Sequence, residues 1–150
     1  MKSILINLIS LVLGVSSAAA DVVTNCHSPQ GYSYFIAGKI VPTKGAGWKE
    51  DGITNGRYLV TRDADGKYDI IYTDAFNRTA SSRANGGAVI VVSTSDNHLV
   101  LVVAYPEMSV ETWYFRIDGS GAGEVIVSQA KYGKEAVSNK HSLMRATCSK

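Results

Sequence analysis

Residues 87–105 read Gly87-Ala-Val-Ile-Val-Val-Ser-Thr-Ser-Asp-Asn-His-Leu-Val-Leu-Val-Val-Ala-Tyr105, and this stretch decides the fold class. Two runs rich in β-branched residues flank a polar break at Ser95-Asp96. Such runs are typical of strands, and a short polar turn between them indicates a hairpin. Apolar residues fill both faces of each run. We therefore expect strands at 87–94 and 97–105 to be central, with core on one side and a packed element or a partner on the other.

Six further runs on either side of this hairpin have the composition or the alternation of strands. In residues 111–118, Trp113, Phe115 and Ile117 share one face, which predicts that these three side chains point into the core. Turn residues such as Asp65-Gly66 separate the runs. The other predicted strands are residues 32–40, 57–62, 67–74, 123–131 and 141–148.

About eight strands, most joined to the next by a short turn, predict a single antiparallel all-β meander. Exposed strand edges favour aggregation, so we expect the sheet to close into a small barrel or a half-open barrel. A two-sheet sandwich is the alternative. About 130 residues suit one domain, and the predicted organisation is a leader at 1–20 followed by a single β domain at 21–150.

The N-terminus has the layout of a signal peptide. A charged start at Met1-Lys2 precedes an apolar run from Ile4 to Val15, and Ala18-Ala19-Ala20 forms a small-residue cleavage pattern. The apolar run is shorter than the roughly 20 residues that span a bilayer, so no membrane span is predicted. We expect export to the periplasm or the outside of the cell. The formal net charge of +2 gives no reason to expect a nucleic acid as partner.

The chain contains two cysteines, Cys26 and Cys148, near the two ends of the exported part. Export makes a disulfide between them the expected state, and it would join the entry of the domain to its exit. The alternative is a redox or metal pair, which prefers closely spaced cysteines or clustered histidines. No metal and no cofactor is predicted, since phosphate-binding loops, dinucleotide fingerprints and HExxH motifs are all missing from the sequence.

Two loops are predicted to carry a binding surface. Residues 41–56 lack a strand pattern and contain glycines around a tryptophan, and residues 80–87 form a second polar loop. We expect the two loops to cluster beside a polar-rimmed patch. Alternatively, Trp48 plugs the open end of the barrel. The predicted binding residues are Trp48, Lys49, Glu50, Asp51, Arg83 and Asn85.

The residues favour a non-enzymatic domain that binds a protein partner or a small apolar ligand. A ligand carrier requires an enclosed cavity larger than roughly 300 Å³. A hydrolase with a site around His98 or His141 is an alternative, although no nucleophile-elbow motif supports it. The side chains expected to line a ligand cavity are Trp113, Phe115, Tyr68 and Tyr72.

Three segments, residues 45–53, 65–74 and 101–106, resemble parts of small, exported bacterial proteins of uncharacterised function. The resemblance implies a bacterial source and a β-rich fold, and it brings no active-site residue with it. The general layout is also similar to small periplasmic β-barrel inhibitors of lysozyme and to miniature lipocalins. A periplasmic inhibitor of a host or competitor hydrolase is therefore a further alternative, against which the near-neutral charge counts.

Signal-peptide cleavage predicts that the exported protein begins at Asp21. Intact-mass analysis of protein recovered outside the cytoplasm should give the mass of residues 21–150. A mass that retains Met1 would contradict the predicted leader.

Overall fold

The computed structural model describes residues 20–133 and 138–150, which form an all-β fold. Apart from Ala20, the predicted signal peptide lies outside the described residues. Within the described ranges, no helix has the length and hydropathy needed to cross a membrane. The ten strands are β1 (Asp21–Phe35), β2 (Gly47–Gly52), β3 (Arg57–Arg62), β4 (Tyr68–Thr73), β5 (Thr79–Ser81), β6 (Ala88–Ser95), β7 (His98–Tyr105), β8 (Ser109–Ile117), β9 (Gly123–Lys131) and β10 (Lys140–Ser149).

All ten strands belong to one antiparallel sheet, which curls into a half-open barrel. The order across the sheet is β5-β4-β3-β1-β10-β9-β8-β7-β6, and β2 also pairs with β1. The seam lies between β5 and β6, which are joined by residues 82–87. The predicted half-open barrel is confirmed. The strands that the sequence did not predict are the short β2 and β5.

The predicted first strand, residues 32–40, is wrong because β1 begins at Asp21 and ends at Phe35. Ser28-Pro29 resembles a turn in the sequence, but it forms a bulge within β1. Ser28 has a positive φ of 55°, and the register against β10 shifts between His27 and Gln30. Proline cannot donate a ladder hydrogen bond, and a bulge is one of the few places where a strand accepts it.

The disulfide between Cys26 and Cys148 is confirmed, although its setting differs from the expected one. Cys26 lies inside β1 rather than before the first strand, directly opposite Cys148 on β10. Both residues belong to the buried core. The bond therefore joins the first and last strands of the barrel where they already pair.

Alternating side chains fill the barrel interior. Trp113 and Phe115 point inward as predicted and are almost completely buried. Their rings stack with centroids 6.2 Å apart, and Tyr58 meets Trp113 edge-on at 4.8 Å. Leu101 and Val103 of β7 are completely buried beside them. The interior at this level is a packed core.

β6 is the strand that departs most from its expected place. The sequence predicts a central strand, but β6 lies at one end of the sheet and pairs only with β7. Ile90, Val91 and Val92 are exposed to solvent. The prediction is correct for β7, which lies between β6 and β8.

Loss of the disulfide should lower stability substantially, since it links residues 122 positions apart. On the chain-entropy model the Cys148→Ala substitution costs about 4–5 kcal/mol of unfolding free energy. Denaturant unfolding measures this loss. The Cys26→Ala/Cys148→Ala double variant and the reduced wild type should lose a similar amount. A loss below about 1 kcal/mol would show that strand pairing alone holds β1 to β10.

Candidate functional site

An open cleft of about 1050 Å³ lies where β1, β2 and β10 meet. It exists because β1 changes partner along its length. Residues 21–27 of β1 pair with β3, and residues 30–35 pair with β2. Residues 53–56 connect β2 to β3 at this change, and residues 53–55 form one side of the cleft.

Backbone contacts fix the shape of the cleft. The Ser28 amide donates to the Gly56 carbonyl oxygen at 3.1 Å, and the Ile53 amide donates to the Pro29 carbonyl oxygen at 3.0 Å. Gly31 is required at its position in β1, because a Cβ there would overlap the Leu143 carbonyl group of β10. The cleft is therefore preformed by paired backbone.

Most of the residues that line the cleft are polar, and its charged side chains include both signs. Arg145 donates from Nε to Glu124 Oε2 at 2.5 Å, and this hydrogen bond is the main cause that lowers the pKa of the Glu124 carboxyl. Glu50 contributes a carboxylate at the edge of β2. The side chains of β1 and β10 around the cleft include those of His27, Gln30, Tyr32, Arg145 and Thr147.

An aromatic rim, formed by Tyr32, Tyr34 and Trp48, borders the cleft. Trp48 of β2 lies opposite Tyr34 of β1, and their rings meet edge-on with centroids 5.5 Å apart. Trp48 is 68% exposed, and Tyr32, which also lines the cleft, is 55% exposed. Trp48 therefore lies on the outer surface and does not plug the barrel.

The predicted loop 41–56 is wrong for residues 47–52, which form β2. Neighbouring side chains of a strand point to opposite faces. Trp48 and Glu50 therefore share one face of β2, and Lys49 and Asp51 share the other; Lys49 is exposed, whereas Asp51 is half-buried. The four predicted residues lie together in the chain and alternate between the two faces of β2, and of the four, Glu50 and Asp51 line the cleft.

Arg83 and Asn85, the other predicted binding residues, lie in the loop at the seam. The Arg83 amide donates to Asp69 at 3.1 Å, and its guanidinium lies 3.4 Å from Asp63. The Asn85 amide group donates to the Tyr72 hydroxyl at 2.9 Å. Neither residue lines the cleft. The expected cluster of the two loops is therefore not formed.

A polar cluster beside β2, which the sequence analysis missed, begins with the half-buried side chain of Asp51. Asp51 accepts hydrogen bonds from Lys140 Nζ and Ser33 Oγ, each at 2.6 Å. Burial alone would raise the pKa of Asp51, but these two donors outweigh it and lower the pKa. The ion pair joins β2 to β10 across the end of β1.

Glu111 of β8 is the second carboxylate of this cluster. Trp113 Nε1 donates to its Oε2 at 3.0 Å, and Gln129 donates to its Oε1. Burial nevertheless raises the pKa of Glu111. Burial also lowers the pKa of Lys131, and the nearby charge of Lys140 adds to this effect. The signal in the sequence was a polar residue at an inward position, since Glu111 shares its strand face with Trp113.

The three histidines occupy separate places. His98 Nδ1 lies 2.6 Å from Ser95 Oγ, and its Nε2 lies 2.9 Å from Ser93 Oγ, on the exposed β6–β7 hairpin. Within the described ranges, no carboxylate is hydrogen-bonded to this ring. His27 borders the cleft, and His141 lies exposed on β10. The hydrolase alternative stays a prediction. The described residues also contain no group of side chains suited to hold a metal ion.

Glu111 should make the stability of the protein depend on pH. Because its folded pKa is raised, protonation favours the folded state, and this stabilisation is lost as the pH rises through that pKa. Glu111→Gln mimics the protonated form at every pH. Between pH 4 and pH 7, the unfolding free energy of the variant should therefore rise relative to that of the wild type, by about 1.4 kcal/mol for each unit by which the pKa is raised. Thermal melts across this pH range measure the difference.

Asp51→Asn is the control, because the pKa of Asp51 is shifted in the opposite direction to that of Glu111. The lowered pKa of Asp51 contributes stability that is lost as the pH falls, so this variant should lose most at neutral pH. An unfolding free energy of Glu111→Gln that differs from the wild type by the same amount at pH 4 and pH 7 would contradict the assignment.

Comparison with protein-family models, with curated proteins and with solved structures finds no match for this chain. The prediction that no family of known function would match is confirmed. The functional argument therefore depends on the cleft, the aromatic rim and the interior of the barrel.

Proposed function

We propose that this chain is an exported, non-enzymatic module that binds a protein partner on the outer face of β1, β2 and β10. The observation that carries the proposal is the exposure of Trp48, which is 68% exposed on a regular strand. Burying a large aromatic side chain yields substantial free energy, and Trp and Tyr dominate the energetics of protein interfaces. An exposed Trp–Tyr pair beside a cleft is a suitable anchor for a partner.

The shape and rigidity of the site support the same proposal. The aromatic rim borders a cleft that can receive a protruding segment, and Tyr32 belongs to both. β1 pairs with β2 on one side and with β10 on the other. The rim side chains therefore stand on a fixed backbone, which reduces the entropy lost on binding.

The packed interior favours a protein partner over a small apolar ligand. Trp113 and Phe115, expected to line a carrier cavity, contact each other and the core. Tyr68 and Tyr72 pack against the same cluster. The cleft is large enough for a ligand, but it is open to solvent and carries charged side chains such as Glu50 and Arg145.

Capture from an envelope extract of the source organism tests the proposal. Immobilised residues 21–150 should retain a protein that Trp48→Ala fails to retain. Once that protein is identified and purified, Trp48→Ala should weaken its binding by about 2 kcal/mol, or roughly 30-fold. Phe76→Ala is the matched control, because Phe76 is 80% exposed on the β4–β5 turn, and neither β4 nor β5 pairs with β1, β2 or β10.

Two outcomes would contradict the proposed function. In one, no protein is retained by the wild type. In the other, a purified partner binds Trp48→Ala and Tyr32→Ala as tightly as it binds the wild type. Trp48 is exposed, so its substitution should leave the fold intact, and a thermal melt of each variant checks this.

A further inference from the structure

Glu50 lies among the three side chains of the aromatic rim. It is directly opposite Tyr32 in the β1–β2 ladder, and Trp48 is directly opposite Tyr34 two residues along. Side chains that are opposite each other in such a ladder share one face of the sheet, with Cβ atoms about 5 Å apart. All four side chains are exposed. They therefore form one surface that combines a carboxylate with three aromatic rings.

Glu50 is also the charged group of the cleft that has no partner in the described part of the chain. Asp51 accepts a hydrogen bond from Lys140 Nζ at 2.6 Å, and Arg145 donates to Glu124 at 2.5 Å. Among the described residues, no lysine, arginine or histidine forms an ion pair with Glu50. The charge that remains for a partner to meet at the aromatic rim is therefore negative.

A cation is the group that this surface attracts. The faces of tryptophan and tyrosine rings carry partial negative charge, and a cation within about 6 Å of a ring centre is attracted to it. Trp48 is 68% exposed, so at least one face of its ring is open to solvent. Arginine matches the surface best, because its planar guanidinium stacks on an aromatic face and donates two parallel hydrogen bonds to a carboxylate.

We propose that the protein partner places an arginine side chain on the aromatic rim, with its guanidinium stacked on Trp48 and paired with Glu50. This inference rests on the proposed function, because it names the chemistry by which the same site recognises its partner. Trp48 and Glu50 lie two residues apart on a paired strand, so stacking and ion pairing require no rearrangement of the backbone. Arginine is also among the side chains that most often dominate the binding energy of interfaces.

Nuclear magnetic resonance titration of residues 21–150 tests the inference without the partner. The probe is the peptide acetyl-Gly-Arg-Gly-amide, and its control is the same peptide with citrulline, in which a neutral urea of similar shape replaces the guanidinium. The indole N–H signal of Trp48 should shift saturably with the arginine peptide at millimolar concentrations and stay in place with the citrulline peptide. The Trp113 indole, which is buried and donates to Glu111, is the internal reference.

Glu50→Gln should weaken the binding of the arginine peptide by about threefold or more, because it removes an exposed ion pair. Raised salt should weaken binding to the wild type more than binding to Glu50→Gln. Asp96→Asn is the matched control. It also removes one exposed negative charge, but it lies in the β6–β7 hairpin, and neither strand of that hairpin pairs with β1, β2 or β10.

Equal shifts with the arginine and citrulline peptides would overturn this inference. Equal affinities of the wild type and Glu50→Gln would overturn it as well, as would equal weakening by Glu50→Gln and Asp96→Asn. The capture experiment separates it from the proposed function. A partner that is lost with Trp48→Ala but binds Glu50→Gln as tightly as the wild type would overturn the arginine contact and leave the proposed function standing. Retention of no protein would instead contradict the proposed function itself, even where the peptide binds.

Discussion

The pairing of β1 with three other strands is the constraint on which the rest of the structure depends. β10 lies along one side of β1, and β2 and β3 share the other side. The disulfide between Cys26 and Cys148 fixes this pairing covalently. In the sheet, β1 lies between two groups of strands, β3–β5 and β6–β10. Without β1, no strand would pair with both groups. Closure of the barrel therefore depends on a contact between the two ends of the domain.

The cleft and the interior cluster both follow from the change of partner along β1. The bulge at Ser28-Pro29 separates the half that pairs with β3 from the half that pairs with β2. On the outside, this change leaves a concave surface with the aromatic rim beside it. On the inside, it brings Asp51 within 2.6 Å of Lys140. One backbone irregularity thus positions a surface suited to binding and a half-buried ion pair.

The alternation of apolar and polar residues correctly predicted the features that local sequence controls. These include the inward direction of Trp113 and Phe115 and the boundaries of most strands. It failed where distant pairing decides the outcome. Residues 47–52 have no apolar alternation, and they form a strand because β1 lies beside them. Asp51 and Lys140 come together only once the sheet is formed. The apolar run of β6 correctly indicated a strand, but composition alone did not show that its apolar side chains would be exposed at the end of the sheet.

Amide hydrogen exchange in β2 tests the account most directly. If β2 pairs with β1, the β2 amides that donate to β1 should exchange orders of magnitude more slowly than those of an open loop, at rates near those of β10. That protection would support the fixed position of Trp48 beside Tyr34. Exchange of residues 47–52 at loop rates in the intact disulfide-bonded protein would contradict the account, because the cleft and the aromatic rim would then lose the strand that forms them.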